Sequence, residues 1–462
     1  MITSEKGPLF GVLILALVAC QAGAEVTQAT VFRFGVVGCL LGLVAVMLLT
    51  ARAVGRIFLI VSAATTLTLI ALEPGWQAAI WKALLTSGFF VAFFSALTAL
   101  RNASGGSPSM ERAGDYLARQ PPGRRYLALT AGAQAFAVLL NYGAIQLLGT
   151  LAVNSAKSEP DETIRKIRIR RMLLAIHRGF ASSLSWSPLS FSIAISVAVI
   201  PGTSWGSIAV PGLVTSAIIL LTGWAVDTIF KPQVAGRRPQ PTGSPGRWTA
   251  LFPLLVLLAL VLGLLVGLAY LLPIRVVGLV LMIVPAVSFV WVLLQPAAPG
   301  GLKKRFRSYV TEEIPGYRAE ILLIATAGYI GSTASVLVAP HIGASGIDLT
   351  ALPVWVLLLG LVWIMPVLGQ LGANPILSMS LVGPLLPPAE ILGISPVALA
   401  VALICGWTLT GITSPFTATN LLIGRFGGVR PIAVGWVWNR SYFVITMALL
   451  CLWTLIYAFV VA

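Results

Sequence analysis

Apolar runs of close to twenty residues recur along the whole chain, separated by short polar stretches. A helix rises about 1.5 Å per residue, so such a run spans a hydrocarbon core of about 30 Å. The pattern predicts membrane helices at roughly 8–23, 34–50, 57–73, 77–100, 171–200, 208–230, 249–271, 275–295, 319–340, 395–424 and 442–461. Two further apolar stretches, 126–153 and 351–386, do not read as simple spans.

The first is basic on both sides. Arg101, Arg112, Arg119, Arg124 and Arg125 precede it, and Lys157, Arg165, Lys166, Arg168, Arg170 and Arg171 follow. A single crossing would expose one cluster outside, against the tendency of cationic loops to stay cytoplasmic. A re-entrant hairpin turning at Asn141-Tyr142-Gly143 removes the conflict. The second stretch has 36 residues, too many for an ordinary span, and Gly369-Gln370-Leu371-Gly372-Ala373-Asn374-Pro375 supplies its turn. Its flanks, 341–350 and 387–394, carry no Lys or Arg, so this hairpin should open outward. With both hairpins placed, the N-terminus lies in the cytoplasm and the C-terminus in the periplasm. Of the 30 Lys and Arg, 27 then fall in or beside cytoplasmic segments, the exceptions being Arg33, Lys82 and Arg275.

After each hairpin comes a long helix with the same interruption. Gly179-Phe180, six residues, then Ser187-Pro188-Leu189-Ser190-Phe191-Ser192 matches Gly406-Trp407, six residues, then Ser414-Pro415-Phe416-Thr417-Ala418-Thr419. Proline stops a helix, and Ser-Pro also starts one well, with Ser as N-cap and Pro in the first helical position. The two helices are therefore expected to break near mid-membrane, where irregular backbone is tolerated only within protein or beside a watery cavity. The charge pattern sends the copies in opposite directions, as in the inverted repeats of secondary transporters. The expected organisation is an extra first helix (1–32), a first repeat (33–231), a cytoplasmic linker (232–248) and a second repeat (249–462).

Free N–H groups at a helix start favour an anion, and the carbonyls ending the preceding half favour a cation. The candidate substrate-binding residues are Asn141, Gly143, Ser185, Ser187, Asn374, Ser414 and Thr417; the candidate ion-binding residues are Ser182, Ser183, Thr410, Thr413 and Asn420. The fourteen acidic residues lie in loops or near span ends, and His177 is the imidazole nearest the breaks. Sodium, which needs only neutral oxygens, is therefore the expected coupling ion. No other cofactor is expected.

Composition narrows the alternatives. Apolar residues make up 58% and charged residues 10%, against about 25% charged in soluble domains. The net charge of +16 resides in short loops, where it sets orientation, and does not indicate nucleic acid. Cys20, Cys39, Cys405 and Cys451 lie within apolar runs, with no metal-site spacing. Leu17-Val18-Ala19-Cys20 resembles a lipoprotein cleavage box and Ala22-Gly23-Ala24 a signal-peptidase site, but with ten further spans behind it a retained helix is expected. A membrane glycosyltransferase or ligase would need carboxylates or His in a large outer loop. The longest outer loops, 22–33 and 341–350, hold only Glu25, Arg33, His341 and Asp348, so an enzyme is not expected.

Two opposed hairpins and two interrupted helices in eleven spans resemble the ion transporter superfamily. The plan is similar to that of divalent anion/sodium symporters and of the large membrane subunit of TRAP transporters. That symporter family carries Ser-Asn-Thr at its sites; here the asparagines recur, Asn141 between Leu140 and Tyr142 and Asn374 between Ala373 and Pro375. The resemblance implies sodium-coupled movement of a small anion across a bacterial inner membrane by an elevator mechanism, in a homodimer within the lipid bilayer. The basic stretch Glu159–Arg171 would then lie on the cytoplasmic surface. Two other readings stay open: the membrane subunit of a TRAP-like multicomponent system, and a lipid or oligosaccharide flippase.

Overall fold

The computed structural model describes residues 7–105, 107–231, 246–295, 301–344 and 348–461, and among these there is no strand. The principal helices are α1 (Gly7–Thr27), α2 (Thr30–Leu48), α3 (Ala53–Leu72), α4 (Trp76–Gly105), α5 (Pro108–Ala118), α6 (Pro122–Leu140) and α7 (Tyr142–Ala156). The first half closes with α8 (Glu162–Ser183), α9 (Phe191–Val199) and α10 (Trp205–Ile229). There follow α11 (Phe252–Leu271), α12 (Val276–Leu294), α13 (Gly301–Ser308), α14 (Arg318–Ala344), α15 (Val354–Gln370) and α16 (Pro375–Val382). The last are α17 (Pro396–Thr413), α18 (Ala418–Gly427) and α19 (Arg440–Ile456). Ten helical segments among the described residues are long and apolar enough to cross a membrane. The chain is an all-α polytopic membrane protein.

Burial separates the periphery from the centre. The most apolar windows of α3 and α11 are only 11% and 22% buried in protein, whereas that of α17–α18 is entirely buried. A helix apolar all round needs lipid or protein on every side. α3 and α11 therefore face outward, and α17–α18 forms the core.

The chain doubles back at Asn141, whose φ of 50° and ψ of −131° make a sharp turn between α6 and α7. Both arms lie on α5: Leu117 packs at Gly132 of the first arm, and Leu148 and Leu151 of the second pack on Gly114. The second arm runs against α8, with Tyr142 stacked on Phe180 at 5.2 Å and Ser155 Oγ 3.8 Å from Met172 Sδ. The other turn, 371–374, joins α15 to α16. α15 runs alongside α17, placing Met365 on Gly406 and Gly369 on Thr410 and Ser414. α16 returns along α9, where Met379 meets Ser196 and Gly383 meets Val199.

The interrupted helices α8–α9 and α17–α18 cross in opposite directions. Gly202, just beyond α9, lies on Pro396 at the start of α17, and Leu184 lies on Gly411 near the end of α17. The short half of each helix packs on the other half's hairpin: Phe426 of α18 against Gly149 of α7, and Ser196 of α9 against Met379 of α16.

Three expectations change in detail. The basic stretch 159–171 is no separate surface element, because Asp161 caps the helix by accepting from Thr163 N and Ile164 N at 2.9 and 3.1 Å, and α8 runs unbroken from there to the break. Of the expected linker 232–248, all but the last three residues lie outside the described residues. Arg275, an exception to the charge rule, bonds at 2.7 Å to the buried carboxylate of Glu25 beside a cavity of about 210 Å³ that Arg33 also lines.

Candidate functional site

The site is built where the two breaks cross. Each begins at a glycine that lets the hairpin's first arm approach the helix at backbone distance. A Cβ on Gly179 would strike the Thr130 carbonyl and come within 2.9 Å of Ala133 Cβ; one on Gly406 would come within 2.7 Å of the Val362 carbonyl and 2.9 Å of Met365 Cβ. The same two atom types, three residues apart, face each glycine. Small residues at such crossings are how membrane helices pack closely.

Five bonds of the turn and its caps then recur in both breaks. Ser187 N donates to Ser183 O at 3.1 Å, as Ser414 N does to Thr410 O at 2.9 Å. Ser190 N donates to Ser187 O at 3.0 Å, as Thr417 N does to Ser414 O at 3.3 Å. The Ser190 hydroxyl donates to Ser187 O and the Thr417 hydroxyl to Ser414 O, both at 2.9 Å. Leu189 N donates to Ser187 Oγ at 3.2 Å and Phe416 N to Ser414 Oγ at 3.3 Å. Finally, Ser192 Oγ donates to Leu184 O and Thr419 Oγ1 to Gly411 O.

This pattern corrects one expectation. Ser-Pro does not start the second half-helix. It opens a four-residue turn with Pro in the second position, which the fixed φ of proline suits, and the helices begin at Phe191 and Ala418. Ser190 and Thr417 are the N-cap residues. Their hydroxyls, with those of Ser192 and Thr419, saturate carbonyls that a broken helix leaves open.

The candidate residues divide accordingly. Ser414 Oγ donates to Gly369 O at 2.7 Å, tying the second break to its hairpin, and Gln370 Nε2 donates to Thr413 Oγ1 at 3.4 Å. Ser185 Oγ donates to Ser182 O and Gly212 O at 2.8 and 2.9 Å, tying the first break to α10. Ser182, Ser183, Thr410 and Thr413 each donate to a carbonyl of their own helix, at 2.7–2.8 Å. Asn374 caps α16 by accepting from Ile376 N at 2.9 Å, and Gly143 lies against the Arg101 side chain. The Asn141 side chain makes no hydrogen bond among the described residues, and neither asparagine is bonded to a break.

Asn420 is different. It is fully buried, and its Nδ2 donates to Ser414 O at 2.7 Å, to Thr417 Oγ1 at 3.3 Å and to Gly411 O at 3.5 Å. Its Oδ1 is buried without a partner. A buried acceptor left open costs about 1–3 kcal/mol, so this oxygen invites a ligand that donates or carries positive charge.

Sequence reasoning did not bring Asn439, Tyr126 and Tyr442 into the site. The buried Arg178 guanidinium donates to Asn439 Oδ1 at 3.1 Å, Tyr126 Oη at 2.9 Å and Gly223 O at 3.3 Å, and lies 4.0 Å from the Tyr442 ring centroid. Arg178 is a core cation. Beside it, His177 Nε2 donates to Gly411 O at 3.1 Å, while Nδ1 faces Asn439 Nδ2 at 3.5 Å. The imidazole thus joins α8 to the carbonyl that Thr419 also caps. An Arg after a His in an apolar run was the available signal; its partners lie 45–261 residues away. Among the described residues no three His, Cys, Asp or Glu side chains come together as a metal site.

No family model matches the chain, and no curated protein matches it. Solved structures do share the fold. The YdaH transporter of Alcanivorax borkumensis, described as having an unusual topology, aligns with a TM-score of 0.53 at 15% identity, over 86% of this chain and 98% of its own. MtrF of Neisseria gonorrhoeae, described as illuminating a class of antimetabolite efflux pumps, aligns at 0.54 and 13% identity, over 88% and 95%. The likeness is one of fold.

Proposed function

We propose that this chain is a secondary transporter of the inner membrane, built of two inverted repeats, that moves a small anion by an elevator mechanism with sodium as coupling ion. The observation that carries the reading is the paired break: two helices crossing in opposite directions, sharing five turn and capping bonds and each flanked by a hairpin. Stable proteins rarely place irregular backbone twice in one core without a ligand to receive. Two transporters of the same fold support the reading.

In this reading the hairpins are re-entrant, and α6–α9 with α15–α18 form the moving body. The other helices form the scaffold of a homodimer. The anion lies at the start of α18, where no side-chain acceptor caps the first turn, unlike α9, which Ser190 caps. The helix dipole there favours negative charge. The sodium ion lies at Asn420 Oδ1.

A second reading has its own observation. His177 touches the second break directly: its Nε2–H is held by Gly411 O, so a proton arriving on Nδ1 would meet the Asn439 amide N–H and push that contact apart. Export, as in the efflux class that MtrF represents, would suit that coupling. Proteoliposomes loaded with candidate anions decide between them. Accumulation under an imposed sodium gradient supports the first reading; movement driven by a proton gradient alone, and lost in His177→Gln, replaces it with the second.

A further inference from the structure

Away from the breaks, a cavity of about 420 Å³ lies between α1, α4, α12 and α13. Its body is apolar, with Leu15, Val18, Ala19, Ala99, Leu281 and Met282 among its walls. Along α12 it extends from Leu281 to Val292, about 16 Å at about 1.5 Å per residue. That is the depth of one leaflet of a hydrocarbon core about 30 Å thick. The cavity opens on the molecular surface beside Phe289, Leu302 and Phe306, which are all exposed.

One end is polar. Asn102, Arg305, Tyr309 and Glu313 line it. Asn102 Oδ1 accepts from Tyr317 Oη at 2.7 Å, which leaves Nδ2 buried and without a partner. Arg305 is held at this end by donating to Gln295 Oε1 at 2.9 Å, and Gln295 Nε2 donates in turn to Ala103 O at 2.8 Å. α13, which closes the cavity, carries Lys303, Lys304, Arg305 and Arg307 and no acid. The one carboxyl in the lining, Glu313, is pushed above the usual carboxylate range by burial, with Arg305 opposing.

We propose that this cavity holds one acyl chain of an anionic phospholipid, with the phosphate on Arg305 and Asn102 Nδ2 and the α13 cations around the headgroup. An apolar slot one leaflet deep, ending in a basic helix and an open N–H donor, matches that amphiphile in length, polarity and charge. α1 forms one wall, so the first helix, supernumerary in a two-repeat plan, builds the lipid seat. The inference does not depend on what the breaks bind.

The test uses the full chain, purified and stripped of lipid, then unfolded thermally with added phosphatidylglycerol or phosphatidylcholine. Phosphatidylglycerol should raise the unfolding temperature by several degrees and phosphatidylcholine by less than half as much. Ala99→Phe fills the slot and should abolish the phosphatidylglycerol shift. Ala19→Leu serves the same purpose if that variant does not fold. Arg305→Gln keeps the slot and should lose the difference between the two lipids. Equal shifts from both lipids in the native chain, or an undiminished shift in a folded slot-filled variant, overturn the proposal.

Discussion

The first and second breaks have the same backbone and different chemistry. Ten residues before the Ser-Pro stand His177 in the first and Ile404 in the second; nine before stand Arg178 and Cys405. Six residues after the serine the order reverses, with Ile193 in the first and Asn420 in the second. Yet the turn bonds and the capped carbonyls are common to both. The shared part is what any break needs, because orphan carbonyls inside a membrane must find donors. What differs is not required by the break, and so marks where the two breaks part in chemistry: a His–Arg pair locked into the first half and an open amide oxygen in the second.

The strongest test of the shared part is at the glycines. Gly179→Leu and Gly406→Leu each force side chains into a facing carbonyl. Both should cost about 3 kcal/mol or more and leave little monodisperse protein. Gly263→Leu, where a Cβ would meet nothing within 4 Å, should behave as the native chain. Survival of one break glycine variant but not the other would end the equivalence.

Next in size is Arg178→Gln, which strands Asn439 Oδ1 and the Tyr126 hydroxyl. A lost charged hydrogen bond is worth about 1.5–3 kcal/mol, so thermal unfolding should shift markedly. The positionally matched Cys405→Ala should shift it less. Equal shifts would mean that the two halves carry the same structural load.

Asn420→Leu bears on function as well as on stability. Sodium stimulation of uptake should fall at least about tenfold, equivalent to about 1.4 kcal/mol, and stability should fall by about 1–3 kcal/mol because Ser414 O loses its Nδ2 donor. Ile193→Leu at the matched position should leave uptake intact. Undiminished stimulation in Asn420→Leu would move the cation elsewhere.

The smallest effect separates the serines. Ser414→Ala removes the bond to Gly369 O, worth about 0.6 kcal/mol for an average intramembrane hydrogen bond. Ser187 donates to no hairpin, so Ser187→Ala should cost less. A reversed order would show that the first hairpin depends more on its break than the second.

Much of the architecture could be read from the chain. Apolar runs of a helix's length located the spans. The turn residues at 141–143 and 369–375 located the places where the chain folds back, and Gly-x7-Ser-Pro located both breaks. The polar detail was harder to read. Ser187-Pro188 suggests a helix start from local propensity alone, but Ser190 and Ser192 compete by offering hydroxyls to Ser187 O and Leu184 O, and the helix starts later. Arg178 in an apolar run reads as a headgroup residue because its acceptors are distant in sequence.

The sequence by itself determined where the apolar helices run and where two of them break, since hydropathy, proline geometry and glycine's missing side chain act within a few residues. It also determined that the two breaks are alike. Only the tertiary structure decided which polar atoms are spent and which remain open. The bond between His177 and Gly411 joins residues 234 apart. The carbonyls expected to face a cation are saturated by hydroxyls from beyond the turn, while Asn420 Oδ1 is left open. Saturation depends on which donors folding brings within about 3 Å: the hydroxyls return across the turn of the same interrupted helix, and His177 reaches over from the helix that crosses it.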